Sequence, residues 1–384
     1  MIIKNNNNQF NVKSNLIQYS INEFFNLEMF KPINNKKYFS NYNFKKFINK
    51  SYRVHVFGMG GSSLSCKLLA QFIDPKLLNT KIFIYDNPSL TKITQNFENL
   101  KIDQTDKFIF ISKSGNTIET KYFLHLIIQF FKNFKIKNYF KQFIFITEKN
   151  ESYLYKFSIQ NKIDHFEHDP NIGGRFSVFS ITALLPLIVA GLSLKNILLN
   201  FNIAKKNFIK IHSKVAKTIQ TTHQIEKKKN LNLVVGLTYH DKLHAINEWY
   251  RQIFAESLGK NKKAINYISS YGSIDQHSQF QLYIDGPIDK HFIFFSIENK
   301  PANLNSPSRL ILGSNLLSNL EQGAIKTLKQ SHFLVNQFII KEKFEDYICL
   351  CMALIFDIYL RAKIEKINFL DQPAVEILKK NTKI

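Results

Sequence analysis

The sequence predicts an α/β protein built on parallel sheets with helices packed on both faces. Three observations carry that reading. From residue 51 onward, short β-branched and aromatic runs alternate with stretches of helical periodicity, the rhythm of repeated strand–helix–strand units. The run at 108–111 stops abruptly in Ser112-Lys113-Ser114-Gly115-Asn116-Thr117, and helix-forming residues follow from Ile118, so a strand feeds a helix through a tight polar loop. A chain of 384 residues with 45% hydrophobic content is long enough for two domains with substantial cores.

Residues 1–50 are polar, rich in Asn and helical in part, with Ile17, Ile21, Phe24 and Phe25 at helical spacing. Strands are expected at 53–57, 81–85, 107–111 and 142–146, separated by helices around 62–74, 118–133 and 152–158. In such sheets ligands sit at the carboxyl ends of strands, where the strand order reverses. Both Gly58-Met59-Gly60-Gly61-Ser62-Ser63 and the 112–117 loop fall at strand carboxyl ends. Residues 176–194 carry no charge over a length that would span a bilayer. Ser177, Ser180, Thr182, Pro186 and Gly191 lie within that stretch, and a helix buried on all sides of an α/β domain has the same hydropathy, so we expect burial and no membrane. A lysine-rich helical connection follows at 195–229. A second α/β rhythm begins near 230, with strands at 230–237, 280–284 and 292–297 and a helix at 241–258. The chain ends in a helix near 345–366 and a short one after Asp371-Gln372-Pro373.

The formal net charge of +23 admits nucleic acid, an anionic membrane or an anionic substrate. The lysines are scattered, as in Lys36-Lys37, Lys205-Lys206 and Lys262-Lys263, and no nucleic-acid motif stands behind the charge. Three cysteines, two of them Cys349 and Cys351 in an apolar stretch, cannot make a disulfide framework. They read as buried reduced thiols, and with no signal-peptide core in MIIKNNNNQF a cytoplasmic location is expected. His165 and His168 beside Asp169 have no further clustered ligand, so no metal is expected.

A strand that ends in hydroxyls, a lysine and a glycine before a helix builds an anion pocket. The free N–H groups and positive dipole end of the helix face the guest, hydroxyls add donors and Lys113 supplies charge. The natural guest is a phosphate on a small molecule. Ser and Thr are also favoured helix caps, yet this density of hydroxyls with a lysine exceeds what a cap needs. The 58–63 loop lacks the third glycine of a dinucleotide fingerprint, so no nicotinamide site is expected.

Taken in order, GMGGSSL, ISKSGNTIET, GGRFSVFSITALLPL, FAESLGK, DQHSQFQL and LDQPAVEILKK form a set that resembles the glucose-6-phosphate isomerase family, from about Arg53 to Lys380. The GGRFS, DQHS and DQPAVE-x-x-K signatures narrow it to that family. The resemblance implies two sugar-isomerase (SIS) domains, at 51–194 and 230–344, each a parallel sheet flanked by helices. Around them it implies an N-terminal helical extension at 1–50, a helical linker at 195–229 and a C-terminal helical arm at 345–384. It implies a glycolytic and gluconeogenic enzyme that interconverts D-glucose 6-phosphate and D-fructose 6-phosphate through ring opening and an enediol(ate). No metal or other cofactor is implied, and the partners are the hexose 6-phosphate and a second copy in a homodimer. Two alternatives stay open: an isomerase that also acts on mannose 6-phosphate, and a SIS-type sensor that binds sugar phosphate without turnover. The sensor would keep 112–117 but has no need of the catalytic set.

By the same resemblance, Ser112, Ser114 and Thr117, with the backbone and charge of Lys113, hold the phosphate. Gly61 and Ser62 lie where the family places neighbouring contacts, and Gln372 binds substrate. Glu256 carries the proton, in a segment matching the Glu-Ser-x-Gly-Lys of shorter bacterial members. Helix geometry adds an independent reason: Glu256 falls within roughly 20° of Trp249 and 60° of Ile253, while Glu248 projects about 100° from Trp249 toward the expected solvent face. A carboxylate on an apolar stripe is costly unless paired or useful. The Arg175 guanidinium opposes the dipole of the helix it precedes and suits an enediolate oxygen. His277 can shuttle a proton to the ring oxygen, with Asp275 or a backbone carbonyl setting its tautomer. A lone histidine is more often structural, so its role comes from the resemblance. So does that of Lys379, which would assist ring opening.

Overall fold

The computed structural model describes every residue except 11–15, 48–52, 74–79, 101, 103–104, 263, 299–307 and 383–384, and the backbone alone at 92, 96, 98–100, 308–315, 376 and 379–380. The described residues hold two five-stranded sheets. Their strands are β1 (Ile2–Asn5), β2 (Val54–Gly58), β3 (Ile82–Tyr85), β4 (Lys107–Ile111), β5 (Phe143–Thr147), β6 (Asp164–Glu167), β7 (Leu233–Thr238), β8 (Asn266–Tyr271), β9 (Lys290–Ile297) and β10 (Leu334–Ile340). The chain divides into two compact units, one of Phe25–Leu199 and one of Met1–Phe24 with Asn200–Ile384.

In the Phe25–Leu199 unit the order is β3-β2-β4-β5-β6, every pair parallel. The two-residue period of a strand sorts the side chains by size. Phe57, Phe108, Phe110, Phe143 and Phe145 share one face with Phe123, Leu124, Ile127 and Phe131 of the helix Ile118–Asn133. Val54, Val56, Ile109, Ile111, Ile144 and Ile146 share the other with Ile181, Leu185 and Val189 of the helix Ile181–Val189. Both faces are covered, which is why these strands are apolar at nearly every position. Each such buried side chain contributes about 2 kcal/mol. The uncharged stretch at 176–194 is accounted for here: Ile181–Val189 is buried at every residue. No described helix is long and apolar enough to cross a membrane.

From β2 the chain moves to β3 on one side, then returns to β4 on the other. The carboxyl ends of β2 and β4 therefore flank a crevice at the point of reversal. They run directly into the 58–63 and 112–117 loops.

In the other unit the order is β1-β10-β9-β7-β8, with β1 antiparallel to β10 and the remaining pairs parallel. The order β8-β7-β9 repeats β3-β2-β4, so a second point of reversal lies at the carboxyl ends of β7 and β9. The helices His244–Leu258 and Phe344–Glu365 flank the sheet, the latter buried from Asp346 through Ala362. The segment expected as a strand at 280–284 is instead part of the helix Phe280–Asp285. Phe280 and Tyr283, three apart, are buried while Leu282 and Ile284 are exposed, a helical spacing that the alternation of FQLYI disguises. The sheet is completed by β8 and β10, which the sequence reading did not assign, and residues 1–50 add β1 to it.

Candidate active site

The 112–117 loop is held by its own backbone. Ser112 N donates to Ile146 O on β5 at 3.0 Å, and Ser112 Oγ lies 2.7 Å from Thr117 Oγ1 while accepting from Gly115 N at 3.1 Å. Gly115 has φ of +65°, and a Cβ there would lie 2.1 Å from Ser152 Oγ, so only glycine fits the turn. Thr117 caps the helix Ile118–Asn133 without a side-chain cap bond. The N–H groups of its first turn, the buried Ser112 and the exposed Ser114 make a donor-rich cradle suited to an anion. Lys113 faces elsewhere. Its Nζ donates to Pro170 O at 2.7 Å and Ile172 O at 3.1 Å and stands 3.7 Å from Glu148 Oε1.

The glycine loop meets the GGRFS turn backbone to backbone. Gly60 has φ of +54°, and the helix Gly61–Phe72 starts there with Gly61 and Ser62 buried. A Cβ on Gly61 would lie 2.2 Å from Gly174 O and 2.6 Å from Arg175 N. Ser177 Oγ donates to Gly174 O at 2.6 Å and lies 3.0 Å from Ser65 Oγ. Arg175 is 4% exposed, its guanidinium 5.0 Å from the Phe176 ring centroid. Three separate motifs of the sequence thus gather at the carboxyl ends of the first sheet.

His165 and His168, weighed as cation ligands, serve backbone carbonyls: His165 Nε2 lies 3.1 Å from Thr147 O and His168 Nδ1 2.9 Å from Asp169 O. Burial is the main cause that holds the His168 imidazole neutral, its pKa pulled down to about 4. Among the described residues no group of three or more His, Cys, Asp and Glu could hold a metal ion.

In the other unit Glu256 is half-buried on His244–Leu258, whose Trp249 and Ile253 are fully buried. Gln252, one turn earlier and absent from the sequence reading, donates to Glu256 Oε1 at 2.8 Å. Glu248, expected on the solvent face, is half-buried and accepts from Tyr271 Oη at 3.0 Å. His277 is exposed in the loop after β8, its N–H donating to Ile274 O at 3.1 Å. Asp275 does not set the tautomer of His277. Its oxygens accept from Ser270 Oγ at 2.5 Å, Tyr271 N at 2.7 Å and Ser278 Oγ at 3.1 Å. Tyr239 Oη donates to Gln276 Oε1 at 3.1 Å, bracing the loop from β7. Gln372 is half-buried at the start of the helix Pro373–Asn381. Lys379 is in that helix, its side chain outside the described residues.

Comparison with known proteins fits this geometry. The family described as phosphoglucose isomerase matches residues 42–322. The glucose-6-phosphate isomerase of Campylobacter jejuni is 34% identical over 247 residues, 63% of this chain and 60% of that protein. That of Methanocaldococcus jannaschii is 33% identical over 255 residues, 65% of this chain and 61% of that protein. The matched stretch therefore spans about three fifths of the length of these relatives. The fold is similar to the crystal structure of a glucose-6-phosphate isomerase from Chlamydia trachomatis, with a TM-score of 0.70 at 17% identity over 97% of this chain and 76% of that one.

Proposed function

The chain belongs to the phosphoglucose isomerase family, and from that premise we propose that it interconverts D-glucose 6-phosphate and D-fructose 6-phosphate without a metal. The observation that carries the reading is the meeting of the 112–117 cradle, the glycine loop and the Arg175 turn at one strand-end crevice. Ser112, Ser114, Thr117 and the amides of the following helix hold the phosphate, with Gly61 and Ser62 beside it. His277 and Lys379 move protons at the ring oxygen and the C1 hydroxyl as the ring opens. Glu256, steadied by Gln252, takes the proton from one of C1 and C2 and returns it to the other. Arg175 neutralises the enediolate oxygen that forms between those steps, and Gln372 binds the substrate. Strands β2–β6 and β7–β10 then belong to SIS domains bounded at 51–194 and 230–344, in a cytoplasmic homodimer of glycolysis and gluconeogenesis.

The test is glucose 6-phosphate formation from fructose 6-phosphate by the purified chain in EDTA. Turnover is expected to persist. Binding without turnover would instead make the protein a sugar-phosphate sensor. Glu256→Gln should lower kcat and proton exchange at C2 by about a thousandfold while binding stays within a few-fold. Near-normal exchange would assign the base to another residue.

A further inference from the structure

Lys260 closes the FAESLGK motif, and no role has so far fallen to it. Its side chain is 14% exposed. Its Nζ donates to Ser257 O at 3.1 Å, to Asp371 O at 3.0 Å and to Asn368 O, and pairs with Asp371 Oδ1 at 2.8 Å. An ammonium has three N–H donors, so these acceptors leave none for a ligand. A lysine that merely closed its own helix would reach only the carbonyls of its last turn. Here most acceptors belong to a turn 108 to 111 residues further along the chain. That turn is itself closed: Leu370 N donates to Asn368 Oδ1 at 3.0 Å and Asn368 Nδ2 to Asp371 Oδ2 at 3.2 Å.

The two ends of this tie are chemically significant. Ser257 adjoins Glu256, and Asp371 adjoins Gln372, after which Pro373 opens the helix that carries Lys379. We infer that Lys260 is a positioning residue that fixes Gln372 against the end of the helix bearing Glu256. The inference rests on the isomerase reading for the roles of Glu256 and Gln372. Its consequence is specific. On that reading Gln372 binds the substrate without moving a proton, so releasing it weakens ground state and transition state alike. KM should move and kcat should not.

Lys260→Met keeps the aliphatic stem and removes the ammonium. In the full chain with fructose 6-phosphate it is expected to raise KM about tenfold, the weight of one charge-assisted hydrogen bond, with kcat within about threefold. Combined with Gln372→Ala it should raise KM no further than Gln372→Ala alone. Lys260→Arg, which restores donors, should recover KM to within about threefold. Effects of Lys260→Met and Gln372→Ala that multiply, or an unchanged KM, would overturn the inference. Should Lys260→Met fail to fold, Asp371→Asn removes the ion pair alone and carries the same cycle, with a KM rise of about threefold; multiplying effects overturn the inference there too. An inactive wild type would sink the isomerase reading instead. Amide exchange at 368–375 then decides for Lys260: about tenfold faster exchange in Lys260→Met supports the tie, and unchanged exchange overturns it.

Discussion

At the point of reversal in the first sheet, β2 and β4 run into loops shaped by glycines at positive φ, with Ser112 buried and Ser114 exposed. At the corresponding point in the second sheet, beside the ends of β7 and β9, buried side chains of β9, β10 and a flanking helix bond one another. Glu321, from the helix Ser308–Gln330, is 2% exposed. It accepts from Ser296 Oγ on β9 and from Gln337 Nε2 on β10 at 3.1 Å, while His240 Nε2, 3.7 Å away, is buried without a hydrogen-bond partner. Gln337 also donates to Ser296 Oγ at 3.0 Å. The same topology therefore offers two points of reversal, and at the second, among the described residues, a buried carboxyl takes donors from both β9 and β10. Strand order alone does not make a site; the loops that it brings together do.

The largest effect expected from this contrast is on stability. Burial pushes the Glu321 carboxyl up to about 7, against the opposing hydrogen bonds of Ser296 and Gln337, from an ordinary value of 4.5. Between those values the folded state holds a proton that the unfolded state has lost. The contribution is thus fully present below about pH 4.5 and is lost as pH rises toward 7, by on the order of 3 kcal/mol over the window. Glu321→Gln should remove that slope, so the wild-type minus variant unfolding free energy in urea should fall between about pH 5 and 8. A difference that rises with pH would mean an ionised carboxylate, and the second crevice would be charged rather than closed.

Next in size is the loss of ligand donors from the open crevice. Ser112→Ala with Thr117→Val removes the paired hydroxyls of the 112–117 loop. It should raise the KM for fructose 6-phosphate about a hundredfold, one factor of ten for each charge-assisted hydrogen bond. Ser296→Ala, the comparable deletion in the closed crevice, should leave KM within about twofold, since its partner is a protein carboxyl. Equal shifts in the two variants would erase the distinction.

The open crevice was legible because its parts are local. Gly115 sits at positive φ between residues adjacent in sequence, and the alternation of Phe and Ile at 108–111 states which side chain meets which face. The burial of Arg175 was legible from its apolar neighbours. The supports of the second unit were not. Lys260 and Tyr239 act on turns 111 and 37 residues away, and no periodicity encodes such a reach. Gln252 was legible in principle, since a residue one turn before Glu256 lies on the same face. β8 escaped notice because NYISSY lies at the edge of its sheet with Asn266, Ile268 and Ser269 not fully buried. An edge strand does not need the continuous apolar run that marks a central one.

The smallest expected effect concerns Lys113, the one cation inside the anion loop. A lysine beside a phosphate would ordinarily be its counter-charge. Its Nζ, however, donates to Pro170 O at 2.7 Å and Ile172 O at 3.1 Å, in the turn that leads to Gly173 and Gly174. Moving the ammonium to a phosphate would leave those carbonyls without their donor, so the two roles compete. If the strap prevails, Lys113→Met loosens the turn and raises the KM for fructose 6-phosphate by no more than about fivefold, with the dependence of KM on salt unchanged. A rise matching that of the hydroxyl double variant, together with a weaker salt dependence, would put the ammonium on the phosphate. The first crevice would then be distinguished from the second by a charge carried on a single side chain, rather than by the hydroxyls and amides of its turns.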